Sequence, residues 1–316
     1  MRFRFGSFNM MNMSKTAVTK REFARIAEII NKEQLDVVAF QEILSQGQAL
    51  DYLLRYNLPG WEIRWAEPSE SSDLSKNKDK RGEGYAFAWK TRRIKLASSS
   101  TDNGERIYEP RIVHEALRYD ASLFARTPMY ARFVPVNGGF FEFRLINVHL
   151  HFGNNTKTEI EKRKEEFDFL IKRVYPTISM ERRYGNNREA YTIIMGDYNL
   201  NLYMPRGEAE KRINKNTYIP ARYDSGHQVI ATVQDELTTL KCAEMDEFFP
   251  DEDPSRGYAQ NYDHFSFDIR LFEAEGIKYT TRRIDAVRKY CNDDFEMYRA
   301  KISNHVPVVL EIAMNE

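Results

Sequence analysis

Six short clusters of carboxylate, carboxamide and imidazole side chains stand out along the chain. They are Phe8-Asn9, Gln41-Glu42, Val148-His149, Gly196-Asp197-Tyr198-Asn199, Tyr262-Asp263-His264 and Ser303-Asn304-His305. Carboxylates and carboxamides are hard oxygen donors, the kind that Mg²⁺ or Mn²⁺ takes, with Ca²⁺ as an alternative structural ion. Histidines without cysteine ligands suit proton transfer better than a zinc cage. A hard cation, imidazoles and carboxylates together are what hydrolysis of a phosphate ester requires. Charge on the phosphoryl oxygens must be offset, a water activated and the leaving oxygen assisted. Each cluster alone also has a plainer reading. Asp197 and Asn199 are common turn residues. Asn9 could form a turn, Glu42 could cap a helix at Ser45, and Asp263-His264 could be a surface pair. His149 and His305 could be core histidines. Six such clusters, mostly at the ends of apolar strands, are harder to explain that way.

The patterning around these clusters predicts the scaffold that carries them. Residues 2–9 alternate as a strand, and 20–32 place Phe23, Ile26, Ala27 and Ile30 at helical spacing. Residues 35–40 form a nearly continuous apolar run, expected of a strand covered on both faces. Its polar end, Gln41-Glu42, lies where open sheets place ligand chemistry. Residues 61–67 read as a short strand, 68–82 as a polar surface loop and 84–89 as a strand. Residues 130–136 and 140–149 predict a hairpin around Asn137-Gly138-Gly139. A charged helix is expected over 158–174, and further strands over 191–195, 228–233, 263–268 and 306–312. Many strands with few helices between them predict an α/β fold of two packed sheets flanked by helices.

Composition limits the function classes. With 42% hydrophobic and 13% aromatic residues, the 316-residue chain can build a large core. Lys plus Arg and Asp plus Glu are 47 each, giving a formal net charge of zero, which argues against an extensive DNA-wrapping surface. Cys242 and Cys291 are too few for a disulfide framework and read as free thiols in a reducing compartment. No apolar run approaches the ~20 residues of a membrane helix. No signal peptide opens the chain, so a cytoplasmic location is the expectation, with a removed leader and secretion as the alternative. His151 reads as a strand-end packing residue. Asn154-Asn155-Thr156 reads as a coincidental glycosylation match, and Arg182-Arg183 and Arg282-Arg283 as surface charges.

The ordered clusters resemble the endonuclease/exonuclease/phosphatase superfamily, in its deoxyribonuclease-I-like branch. Gly196-Asp197-Tyr198-Asn199 is similar to the Gly-Asp-x-Asn motif of that family. Ser303-Asn304-His305-Val306-Pro307-Val308 is similar to its terminal Ser-Asp-His-x-Pro-Val, and Val38-Ala39-Phe40-Gln41-Glu42 to its metal-carboxylate strand. Gly82-Glu83-Gly84-Tyr85 resembles an element whose Glu supports a catalytic His. Ala125-Arg126-Thr127-Pro128 resembles an element that presents Arg to phosphate, and Asn261-Tyr262-Asp263-His264 resembles a Tyr-Asp-Arg/His element.

The resemblance spans nearly the whole chain. It implies one catalytic domain over 1–316, built as a four-layer α/β/β/α sandwich of two mixed sheets. It implies metal ligands at Glu42, Asn9 and Asn304, and a catalytic set of His149, His305, Asp197, Asn199, Glu83 and Asp263. Asp197 would position the nucleophilic water or the water shell of the metal. Asn199 and Arg126 would bind phosphate, Glu83 would orient His149, and Asp263 would partner a histidine. Which histidine is acid and which is base stays open. The implied activity is a Mg²⁺- or Mn²⁺-dependent phosphodiesterase, a nuclease with DNA favoured. The alternatives are a phosphomonoesterase acting on an inositol phosphate or another small ester, and a non-catalytic module that kept the fold. Two departures bear on this. Asn304 stands where the family has Asp, which implies a weaker base at His305 or weaker metal binding. Leu44 offers no cation for DNA, which leaves Lys76, Lys78, Lys80 and Arg81 as the candidates.

Overall fold

The structure, a computed structural model, describes residues 1–44, 47–66, 83–100, 106–108, 111–112, 123–138, 141–154, 156–180, 189–202, 218–241 and 257–314. Outside the described residues lie the loop expected over 68–82 with its Lys76, Lys78, Lys80 and Arg81, together with Ser45, Gly139, Cys242, Asn155 and Arg182-Arg183.

The continuous apolar run predicted as a doubly covered strand forms Val37–Ile43. Val38 and Phe40 pack under helices on one face, while Val37 and Ala39 face a second sheet. This strand belongs to a six-stranded sheet in the order Lys278–Arg283, Val308–Ala313, Arg2–Met13, Val37–Ile43, Gly84–Lys90, Trp61–Ala66. Arg2–Met13 runs parallel to Val37–Ile43 and antiparallel to Val308–Ala313, so the sheet is mixed. The second sheet runs Arg222–Asp224, Val229–Val233, Asp263–Asp268, Glu189–Asp197, Phe141–His149, Met129–Pro135, Ile94–Leu96, with Arg111–Ile112 paired onto Met129–Pro135. Phe141–His149 is parallel to Glu189–Asp197 and antiparallel to Met129–Pro135.

Three apolar interfaces separate four layers. Phe23–Lys32, Gln48–Asn57, Ala286–Cys291 and Phe295–Lys301 cover the outer face of the first sheet. Between the sheets, Phe3, Phe5, Phe141 and Phe143 meet mostly edge to face, with ring centroids 4.7–6.5 Å apart. The helical segment from Lys157 to Met180 covers the outer face of the second sheet. The four-layer α/β/β/α sandwich is therefore the observed architecture. Toward the strand ends this dry interface turns polar. Gln41 Nε2 donates to Asn147 Oδ1 at 2.7 Å and to Ser7 Oγ at 3.1 Å, and Asn147 Nδ2 donates to the carbonyls of Phe40 and Ala86. Buried polar groups persist where they satisfy one another, and this set bolts the two sheets together below the clusters of interest.

Several elements depart from the sequence expectation. The first strand runs on to Met13, across an irregularity after Asn9 at which Met11 and Asn12 take positive φ. The charged helix passes residue 174 through a π-turn, Leu170–Val174, into Tyr175–Met180. Pro176 reads as a breaker in sequence, but the widened turn just before it relaxes the constraint on the ring and its missing N–H. The helices Ala286–Cys291 and Phe295–Lys301 and the edge strand Lys278–Arg283 have no counterpart in the sequence expectation, and Gln48–Asn57 enters it only through the alternative reading of Glu42 as a cap. Cys291 is buried and free, as expected. No helix among the described residues is long and apolar enough to cross a membrane.

Candidate active site

Strand register sets the site. In the second sheet His149 pairs with Asp197, and Asp197 pairs with Asp263, so three ionisable residues stand in a row across adjacent strands. In the first sheet Asn9 pairs with Gln41, one residue before Glu42. Glu42 sits in a register shift between Phe40 and Ile43 with φ 59°. A bulged residue turns its side chain out of the strict alternation. A left-handed non-glycine conformation costs on the order of 1–3 kcal/mol. The Glu42 carboxylate offsets that cost by accepting two hydrogen bonds, from Asn9 Nδ2 at 2.9 Å and from Asn12 N at 2.8 Å, since bonds to a charged group are worth about 1.5–3 kcal/mol each. Gly196, just before Asp197, has φ 150°, and a Cβ there would lie 2.0 Å from the Val148 carbonyl oxygen. Glycine is what allows this strand to approach His149 so closely.

The side chains converge from both sheets. Asn9 Nδ2 donates to Asp197 Oδ2 at 2.9 Å as well as to Glu42, so one carboxamide joins two carboxylates. His149 Nδ1 lies 2.6 Å from Glu83 Oε1, and Arg126 Nε lies 2.7 Å from the same oxygen. His305 Nδ1 bonds Asp263 Oδ2 at 2.8 Å. The Nε2 atoms of His149 and His305 each stand 3.7 Å from Asp197 Oδ2. Asn199, at φ 49°, donates its backbone N–H to Asp197 Oδ1 and its Nδ2 to the Leu150 carbonyl at 2.9 Å. Arg126 Nη1 donates to that same carbonyl. The two expected phosphate binders thus share a backbone anchor. Nearly all of these groups are buried, while Glu42 is half-buried.

Two residues inside the quoted motifs have partners that the sequence alone does not assign. The Tyr85 hydroxyl donates to the Arg126 carbonyl and accepts the His149 N–H. Ser303 Oγ donates to the Asn9 carbonyl and accepts the His305 N–H, tying the last cluster to the first. A hydroxyl inside such a motif carries little signal about its own role in one sequence. His264 is turned away from the site, with both ring nitrogens 2.9 Å from the carbonyls of Gln234 and Leu200. His151, expected as a packing residue, is partly exposed and contacts Glu159. Arg282 and Arg283, expected as surface charges, are both engaged: Arg282 pairs with Glu33, and Arg283 donates to the Leu237 carbonyl.

Electrostatics follow from this packing. Burial alone would lower the His305 pKa, but Asp263 and Asp197 outweigh it and raise it to about 9. Burial would raise the Glu83 pKa, but His149 and Arg126 outweigh it and bring it to about 2. Glu166 is the converse case: burial dominates over the amides of Ala125 and His151 and lifts it to about 7.

The donor set fits a hard cation. Glu42, Glu83 and His149 offer ligand atoms within 4.8 Å of one another, and Asp197, Asp263 and His305 form a second such group. Glu83 is already occupied by Arg126, which leaves Glu42 as the accessible carboxylate. Asn304 Oδ1 is buried with no hydrogen-bond partner among the described residues, an acceptor with spare capacity. Asn9 stands beside Glu42 as expected, but its Oδ1 accepts the Met11 N–H and its NH₂ faces the acids.

No protein-family model matches the chain, and no curated protein matches it. Solved structures do. An endonuclease/exonuclease/phosphatase family protein from Bacteroides thetaiotaomicron superposes with TM-score 0.54 at 14% identity, covering 100% of this chain and 99% of that one. The chain has the endonuclease/exonuclease/phosphatase fold. Two further structures with this fold cover it as fully. D. rerio TDP2, complexed with single strand DNA product, gives TM-score 0.55 at 14% identity over 99% of both chains. A mannosyl-6-phosphatase from Bacteroides thetaiotaomicron gives 0.53 at 13% identity over 99% of this chain and 100% of that one. In this chain the endonuclease/exonuclease/phosphatase fold places Asn9, Glu42, Glu83, Arg126, His149, Asp197, Asn199, Asp263 and His305 in one linked cluster.

Proposed function

We propose that this protein is a divalent-metal-dependent phosphodiesterase, a nuclease with DNA as the favoured substrate, and that residues 1–316 form one catalytic domain. The observation that carries the reading is the convergence of two imidazole Nε2 atoms on one oxygen of Asp197, which Asn9 joins to Glu42. Glu42 would hold Mg²⁺ or Mn²⁺, with Asn9 bracing the carboxylate and Asn304 supplying a carboxamide oxygen. When bound, the ion offsets negative charge developing on the phosphoryl oxygens. Asp197 orients a water toward phosphorus. Asp263 and Glu83 fix the rings of His305 and His149 through Nδ1, leaving both Nε2 atoms to face the phosphoryl oxygens. Arg126 and Asn199 complete the anion site from their common anchor at Leu150.

The structural relative complexed with single strand DNA product supports a nucleic-acid substrate. A second reading, a phosphomonoesterase of small esters, draws on the zero net charge and on the phosphatase of the same fold. A panel of single- and double-stranded DNA, RNA and sugar and inositol phosphates separates the two. Run with Mg²⁺ and Mn²⁺ titrations beside His149→Ala, it should give metal-dependent cutting of DNA that EDTA stops. Phosphate release from small esters alone would select the second reading. Inactivity on every substrate, with no metal effect on melting, would leave a binding module.

A further inference from the structure

Two buried charges on the helix Lys157–Phe169 form no salt bridge among the described residues. Arg163 is 3% exposed and Glu166 is 6% exposed, one helical turn apart. Neither is in an ion pair with the other. Each is answered by backbone groups from loops around the site. Glu166 Oε1 accepts the Ala125 N–H at 2.6 Å, and Oε2 accepts the His151 N–H at 2.7 Å. Arg163 Nη1 donates to the Asn199 carbonyl at 3.2 Å, and Nη2 donates to the carbonyls of Gly153 and Asn154 at 3.0 and 2.6 Å.

We propose that Arg163 and Glu166 are positioning residues that lock the three segments carrying Arg126, His149 and Asn199 into one geometry. The inference rests on the phosphoesterase reading of that site. Ala125 precedes Arg126, His151 follows His149 by two residues, and the Asn199 carbonyl belongs to the residue that shares the Leu150 anchor with Arg126. The anion gathers N–H donors from two segments and the cation gathers carbonyls from two, with the 151–154 segment common to both. A buried charge without a compensating partner is costly, so each must find its loop groups, and the helix transmits its own rigidity to them. A core ion pair would stabilise the fold equally well without touching these loops. Burial also lifts the Glu166 pKa to about 7, outweighing the amides of Ala125 and His151 and the charges of Arg126 and His149, all of which lower it. Small misplacements of positioned groups cost about 10²-fold in rate.

The test uses the full chain and Glu166→Gln, Arg163→Met, Arg163→Lys and the double variant, with exposed Glu165→Gln as control. Hydrolysis of bis(p-nitrophenyl) phosphate in Mn²⁺ is followed together with amide hydrogen exchange at Ala125 and His151. The expected result is a 10–10²-fold loss of kcat with little change in KM for Glu166→Gln and Arg163→Met. Arg163→Lys should recover part of the loss, and the double variant should be less than additive, because both residues act on the 151–154 segment. Exchange at Ala125 and His151 should quicken in Glu166→Gln and stay unchanged in Glu165→Gln. Unchanged kcat in folded variants, or additive losses with native exchange, would overturn the proposal. Should the wild-type chain leave the ester intact, the phosphoesterase reading fails separately. The exchange rates and the His149 imidazole resonances then decide the clamp: shifts in Glu166→Gln uphold it, and native values overturn it.

Discussion

His149 ends a strand of the second sheet and His305 lies just before the strand Val308–Ala313 of the first, and both reach the same oxygen of Asp197, each with Nε2 at 3.7 Å. Each ring is held at Nδ1 by its own carboxylate, Glu83 for His149 and Asp263 for His305. The arrangement is nearly symmetric about Asp197, but the two supports differ. Glu83 also faces Arg126 at 2.7 Å, while the second oxygen of Asp263 has no hydrogen-bond partner among the described residues.

The charge on His305 makes metal-free stability depend on pH. Its pKa in the folded protein, about 9, lies above the ordinary 6.5. The stabilisation from the charged ring is therefore complete below about 6.5 and is lost as pH rises through about 9. Denaturant unfolding in EDTA should show the folded state weakening across that window, with a shallower slope in His305→Gln. An equal slope in both proteins would show that other groups carry the dependence.

Glu42→Gln removes the accessible carboxylate and keeps its shape. Wild-type protein should melt at higher temperature when Mg²⁺ or Mn²⁺ is added, because an ion bound only by the folded state stabilises it by about 2.7 kcal/mol at one hundred times its Kd. The variant should lose most of that shift, and its turnover should fall at least 10²-fold, the usual scale for removing one charge-stabilising group. A full metal shift in Glu42→Gln would move the ion elsewhere.

Asn304 tests whether a carboxamide in place of a carboxylate matters here. Its Oδ1 is buried without a hydrogen-bond partner among the described residues, so Asp at this position supplies an anionic donor at little steric cost. Asn304→Asp should keep or raise activity and lower the Mn²⁺ concentration for half-maximal rate. A large loss of activity would assign Asn304 a role that depends on its amide.

Gly196→Ala probes the backbone beneath the motif. The new Cβ would collide with the Val148 carbonyl oxygen at 2.0 Å in a conformation that L side chains rarely adopt. A loss of about 2–4 kcal/mol in equilibrium unfolding is expected, together with loss of activity from the shifted Asp197. Wild-type stability would mean that the strands separate easily at this point.

Much of this was legible in the residue pattern. Apolar runs ending in Glu42, His149 and Asp197 announced buried strands with polar tips, and those tips are where the sheets converge. The two-sheet architecture followed from many strands with few helices. The bulge at Glu42 was not legible, because a left-handed glutamate leaves no compositional trace. Arg163 and Glu166 were not either, since charged residues on a polar helix look like a solvated face. The short helices Ala286–Cys291 and Phe295–Lys301 lack the length for a clear period, and Lys278–Arg283 is an exposed edge strand without an apolar alternation.

The most direct measurement is the rate of cleavage of a fluorescein-labelled single-stranded DNA oligonucleotide in Mn²⁺ by wild type and Asp197→Asn. If Asp197 is the oxygen on which both imidazoles act, wild type cuts, EDTA stops it, and the variant is at least 10²-fold slower with native stability. Equal rates in a folded Asp197→Asn would contradict the account.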